Sequence, residues 1–301
     1  MNSQEKSTIQ KTMKFVSIDV ETANPDQSSI CQIGVVIWED GQIIDEWCTL
    51  VNPCDYFDYW NVSIHGITEE SVEHSPKFTE VYEHLKNLLS GQYVVHHSPF
   101  DRVAIQRAVS KANHESILCN WLDSARIVRR TYSEFATAGY GLANLADHFG
   151  YSFNHHDALE DARMCGNILL RCLEESKMSI SDWPTFLKRR ITLTGESYAF
   201  KGAKGNPDGE LYGEIAVFTG KLRFPRKEAA AMAAEIGIEV KKNVSNSITM
   251  LIVGIQDAQR VGESGKSGKQ KDVEEKIAEG ADIKILSEDD FEALFQSSTD
   301  T

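Results

Sequence analysis

The chain has 301 residues, 41% apolar and 25% charged, an ordinary globular composition with room for about two domains of ~150 residues. No apolar run approaches the ~18 residues of a membrane span, and the polar start MNSQEKSTIQKTMK lacks a signal-peptide core, so a cytoplasmic protein with no membrane partner is expected. A net charge of −14 argues against a broad electrostatic footprint on nucleic acid, although the acid is concentrated, with 25 Asp and Glu against 13 Lys and Arg over residues 1–175.

In chain order, strands are predicted at 15–20, 30–38 and 43–51, with an Asp40-Gly41 turn between the last two that reads as a hairpin. A looser region carries HGIT at 65–68. Residues 78–89 have helical apolar spacing, 93–97 read as a short buried strand, and 100–110 as a helix with Pro99 suited to its first turn. Helices follow at 141–149 and 158–173. Strands first, then helices among strands, suggest a mixed sheet covered by helices. The six cysteines form no C-x-x-C pair and several lie in apolar segments, so they read as reduced thiols, neither a disulfide framework nor a zinc site.

Residues 177–210 change character. KGAKGNPDGE is linker chemistry, so the following unit is expected to be flexibly joined. From 211 onward the order is strand, helix, strand, strand, helix, strand, helix in ~90 residues, the pattern of a compact α/β domain. A basic Gly-Ser loop, GESGKSGKQKD, precedes the second of those helices.

The first strand ends DVET, which places Asp19 and Glu21 on one face, because side chains alternate along a strand. Two such acids repel, and burial raises at least one pKa, so a cation is required or the pair is solvated. Asp101 follows VVHHSPF, where a buried strand delivers a carboxylate into a helix start. Asp161 sits on the 158–173 helix, with His156 five positions earlier. Four acids and a histidine at element ends suit two hard divalent cations, which prefer oxygen ligands.

DVET, HSPFD and HDALED in this order resemble the three motifs of the DEDDh 3′–5′ exonucleases, particularly the epsilon-subunit (DnaQ-like) group of bacterial DNA polymerase III. SICQIGVV, HGIT and DSAR fall where that group has similar segments. The resemblance implies a ribonuclease H-like mixed sheet flanked by helices over 14–176. It also implies two Mg²⁺ or Mn²⁺ ions on Asp19, Glu21, Asp101 and Asp161, with His156 as general base and His155 as its rival. Thr22, His65 and Phe100 would border the terminal nucleotide. His97 departs from the family's usual Asn, and Pro99 follows Ser98.

Over 211–296, GEIAVFTGKL, an Ala-rich helix and SITMLIVG resemble a BRCT domain, a small α/β fold with a parallel four-stranded sheet. That likeness implies a phosphate site at Thr219, the Gly220 amide and Lys269 or Lys271. Its ligand would be a phosphorylated protein or a DNA 5′-phosphate end. The usual Gly-Gly turn is Gly237-Ile238 here, and Phe291 replaces the usual Trp. The function expected is 3′–5′ hydrolysis at DNA 3′ ends, single strands preferred, with a separate DNA polymerase chain as a partner. The alternatives are an RNA-trimming exonuclease of the same superfamily and a catalytically idle BRCT adaptor.

Overall fold

The computed structural model describes residues 13–132, 134–135, 140–188, 205–256, 261 and 265–299. The first unit is organised by a five-stranded sheet of order β3-β2-β1-β4-β5. β1 (Lys14–Thr22), β2 (Ile30–Glu39) and β3 (Gln42–Leu50) form an antiparallel meander. The β2–β3 turn, Asp40-Gly41, has both residues at positive φ, 48° and 79°. This two-residue turn matches the twist of the flanking strands. β4 (Tyr93–His96) and β5 (Asn120–Asp123) extend the sheet in parallel from β1.

β1 is sandwiched between helices. On one face Phe15 stacks on Trp38, and both pack against α7 (Ala158–Ser176). Ser17 Oγ donates to the Ala162 carbonyl of α7 (2.6 Å) and accepts from Trp38 Nε1 (2.8 Å). On the other face Val16 and Ile18 pack against α3 (Phe78–Leu89) and α4 (Phe100–Lys111). The two-residue period therefore carries Asp19 and Glu21 out along the α7 face. Close docking of α7 requires Gly34 on β2, where a Cβ would stand 2.2 Å from the Ala158 carbonyl oxygen.

Among the described residues this unit also has α1 (Tyr59–His65), α2 (Glu69–Val72), α5 (Ser124–Thr131), α6 (Leu142–Phe149) and α8 (Trp183–Leu187). The looser region around HGIT thus contains α1, capped by the Asp58 side chain and closed by Gly66 at φ 75°.

The second unit is a fully parallel four-stranded sheet of order β7-β6-β8-β9, as expected. Its strands are β6 (Ile215–Thr219), β7 (Glu239–Lys241), β8 (Met250–Val253) and β9 (Lys284–Ser287). Phe218, Met250 and Ile252 face a core shared with α9 (Arg226–Glu235) and α11 (Glu288–Thr299). Val217 and Leu251 point the other way, toward α10 (Gly268–Ala278).

The expected linker, 177–210, is corrected in part. Ile180, Trp183 and Leu187 are buried in the first unit's core, so residues 177–188 belong to that unit. Gly205 and Gly209 press against Gly237 and Ile236, which ties 205–210 to the second unit. Residues 189–204 lie outside the described residues.

The expected loose tether is corrected as well, because the units are docked. Phe100 and Val103 of α4 are buried in the second unit's core. Glu210 bonds Arg102 (2.7 Å) and Arg126 (2.9 Å), with Arg102 and Glu210 side chains each 8% accessible. Arg107 pairs with the fully buried Asp290, which also accepts from the Gln27 amide at 3.0 Å. Arg129 donates to the carbonyls of Gly209 (3.2 Å), Glu210 and Tyr212 (2.8 Å). Buried charge matched on both sides fixes one docking geometry, because an unpaired partner would be left desolvated.

Candidate active site

The carboxyl ends of β1 and β4 open on one side of the sheet, where β1 is flanked by one antiparallel and one parallel neighbour. There β1 delivers Asp19 and Glu21, and the first turn of α7 delivers Asp161. Carboxylate oxygens of these three lie within 4.8 Å of one another. Asp101, buried in the first turn of α4, accepts from the Val20 amide (3.2 Å) and lines the same cleft. All four expected carboxylates are thus brought together.

Burial, followed by the charges of Asp101, Asp161 and Glu21, pushes Asp19 well above the ordinary carboxylate range. Burial likewise raises Glu21. It raises Asp101 to about 7 despite the Lys284 charge and the Val20 amide, and Asp161 to about 7 despite the His156 amide. Asp161 Oδ2 accepts from that amide at 2.8 Å, whereas its Oδ1 is buried without a hydrogen-bond partner. An orphaned, buried carboxylate oxygen among three other acids fits a hard divalent cation, whose ligands are oxygens.

His156 enters α7 at φ 68°, a left-handed conformation held by its amide bond to Asp161. Its imidazole is 3.8 Å from that of His155, centre to centre. Burial and the neighbouring His155 lower its pKa to about 4, so the ring is neutral at pH 7. Burial lowers His155 too. His155, His156 and Asp161 also offer ligand atoms within 4.8 Å of one another. His155 therefore borders the centre more closely than the sequence implied.

The substrate-side residues all reach the cleft. Thr22 lines it, and its carbonyl accepts from Asn61 Nδ2 (2.8 Å). His65 lines it as well, but with its ring nitrogens engaged. Its Nδ1 accepts from the Ile67 amide (3.0 Å) and its Nε2 donates to the Thr22 carbonyl (3.1 Å). With both ring nitrogens committed to backbone, it holds the end of β1 and has none left for a ligand. Phe100 does border the cleft, but under cover of the second unit. The departing residue His97 is also structural: its Nε2 donates to the Tyr140 carbonyl (2.7 Å), and burial lowers it to about 4.

In the second unit Thr219 Oγ and Ser267 Oγ are 2.6 Å apart, and Ser267 caps α10. Gly220, at φ 70°, follows Thr219. Lys269 Nζ donates to the carbonyls of Phe218 (3.1 Å) and Lys242 (2.6 Å), and burial lowers its pKa. Lys271, a turn inside α10, is exposed. Thr219 and Lys269 therefore converge on a helix start, although the lysine is occupied with backbone.

Sequence reasoning missed the second unit's share of the cleft. Glu214, Thr249, Asp282 and Lys284 line it opposite the four acids, within a volume of about 300 Å³. Only tertiary docking places them there, and no local signal marks them.

Comparison with known proteins finds relatives for the first unit. Residues 16–169 match the family described as Exonuclease (RNase_T). Over 167 residues the chain is 30% identical to DNA polymerase III PolC-type of Thermotoga petrophila, covering 54% of this chain and 12% of that protein. Over 182 residues it is 31% identical to 3′-5′ exonuclease DinG of Bacillus subtilis, covering 59% and 19%. It is 24% identical to DNA polymerase III subunit epsilon of Treponema pallidum, covering 52% of this chain and 75% of that one. The chain thus spans less than a fifth of the length of the first two. Among solved structures, exonuclease X in complex with 5′ overhanging duplex DNA is similar over 56% of this chain and 95% of its own, at 22% identity and a TM-score of 0.46. With its matched residues carrying the four acids and His156, this chain belongs to the Exonuclease (RNase_T) family.

Proposed function

We propose that the protein is a metal-dependent 3′–5′ exonuclease that hydrolyses DNA from unpaired 3′ ends. The observation that carries this is the convergence of Asp19, Glu21 and Asp161 around a buried, unpartnered Asp161 oxygen, with Asp101 lining the same cleft. Two bound Mg²⁺ or Mn²⁺ ions would supply Lewis-acid polarisation of the scissile phosphate and activation of a water. Asp19, Glu21, Asp101 and Asp161 would hold them, since bound cations offset the repulsion that builds up when these acids lose their protons.

His156 accepts the proton of the attacking water at a ring nitrogen, which its lowered pKa keeps unprotonated at pH 7. Attack at phosphorus breaks the bond to the preceding 3′ oxygen and releases a nucleoside 5′-monophosphate. The phenyl ring of Phe100 and the Thr22 backbone flank the terminal nucleotide. DNA is favoured because relatives about 30% identical carry DNA polymerase III or 3′-5′ exonuclease DinG names. A separate polymerase chain fits the likeness to an epsilon subunit as a partner.

For the second unit, the parallel sheet and the meeting of Thr219, Ser267 and Lys269 at the start of α10 support a BRCT-like module that binds a phosphorylated protein or a DNA 5′-phosphate. The deciding experiment digests 3′-labelled single-stranded DNA, duplex DNA and RNA with Mg²⁺, with Mn²⁺ and in EDTA. Loss of activity in EDTA and preference for DNA single strands are expected. Undiminished cleavage in chelator rejects the metal mechanism, and faster cleavage of RNA assigns the enzyme to RNA trimming.

A further inference from the structure

The second unit presents a lysine to the catalytic cleft. Lys284 opens β9 in register with Met250 on β8, which pairs with Ala216 on β6, so it stands at the amino end of the parallel sheet. The Thr219 site lies at the opposite end, about 10 Å away along the strands. Lys284 Nζ is 4.8 Å from the centre of the Phe100 ring, and its side chain lines the cleft with Asp19, Glu21, Asp101 and Asp161. Lys284 is exposed to solvent where it fronts the cleft.

Such a cation could occupy the metal positions as a plug or complete a binding wall. The docking favours the wall. Phe100 and Val103 are buried in the second unit's core, and Glu210 is gripped by two arginines, so the closed arrangement is the ground state of the fold. About 300 Å³ remains open beside the lysine, a size suited to a nucleotide and too small for a helix of stacked pairs.

We propose that Lys284 is a substrate-binding residue of the exonuclease centre, its ammonium holding the phosphate of the 3′-terminal nucleotide. The second unit then forms one wall of the active site and restricts it to unpaired ends. This rests on the exonuclease reading above. Once the four acids are neutralised by divalent ions, Lys284 is a point charge matched to a phosphate.

The test uses the full chain with Lys284→Met, which keeps the apolar stem over Phe100, and Lys284→Arg, which keeps the charge. Lys284→Gln replaces the Met variant should its thermal unfolding show that it has not folded. Thymidine 5′-monophosphate is titrated calorimetrically in Mg²⁺, KM and kcat are measured on a short single strand, and Mg²⁺ binding is followed by thermal shift. Removing the charge should weaken monophosphate binding and raise KM by about tenfold or more. Mg²⁺ binding should be no weaker, and Arg should restore most of the loss. Unchanged Kd and KM overturn the lysine's role, and faster turnover with tighter Mg²⁺ binding makes it a plug instead. A wild type that is inert on every nucleic acid overturns the exonuclease reading itself.

Discussion

Asp101 and Asp161, each raised to about 7 by burial, make the centre sensitive to protons as well as metal. A carboxylate raised from 3.8 binds its proton more tightly when folded, so its destabilising effect is absent in acid and grows as pH rises toward and through about 7. Asp161→Asn removes this charge and retains an acceptor for the His156 amide. The metal-free variant should therefore gain more stability over wild type at pH 8 than at pH 5, each pKa unit of relieved strain being worth about 1.4 kcal/mol. An equal gain at both values, read from chemical denaturation in EDTA, contradicts the assignment. The same substitution should abolish cleavage and the stabilisation by Mg²⁺. Mg²⁺ affinity of the wild type should fall as pH drops below about 7, because protons compete for the same oxygens. His156→Ala should lower kcat by about 10²–10⁴-fold. His155→Ala should do much less; reversed effects would exchange their roles. The four acids and His156 were legible because each sits at an element end that its flanking pattern marks. His65 reaches the cleft, but that its two ring nitrogens are already bonded to backbone was not legible, because those bonds form only in the fold.

The supports of the centre are whole elements. α7 can bring Asp161 to Asp19 only because Gly34 lets its first turn approach β2, with no room for a methyl group beside the Ala158 carbonyl. Gly34→Ala should push α7 outward and destabilise the fold by about 1–3 kcal/mol, the usual cost of overpacking. It should also reduce cleavage by more than the loss of folded protein explains. A folded variant with wild-type kcat would show that the first turn of α7 can move without disturbing the acids. Most elements of both units were readable from apolar periodicity, and α3 begins and ends where its spacing predicts, at Phe78 and Leu89. β5 was missed because its four residues, NWLD, run straight into α5 without a breaker. α1 was missed because YWNVSIH has no fully buried residue, and its stop signal, Gly66, falls within a motif read as loop.

On the scale of the molecule, composition and linker chemistry suggested two independent bodies, whereas the chain buries Phe100, Val103 and three arginine–carboxylate contacts between them. The three arginine–carboxylate contacts join residues 84, 108 and 183 positions apart, and no periodicity in either segment announces them. Glu210→Ala should strand the buried Arg102 charge and cost about 3–5 kcal/mol, the effect of removing one partner of a buried pair. A shift in the unfolding midpoint no larger than that of an exposed pair would mean that water reaches Arg102. Trp60 gives this boundary an optical signature. It projects from α1 against the second unit's smaller core, with Lys266 Nζ 5.9 Å from the centre of its ring and its indole N–H buried without a partner. Any parting of the two bodies would bring water to that indole and shift its emission to longer wavelength. Trp38 and Trp183, buried deep in the first unit, would not report it. The protein thus carries its own fluorescent gauge of whether the wall over its cleft is in place.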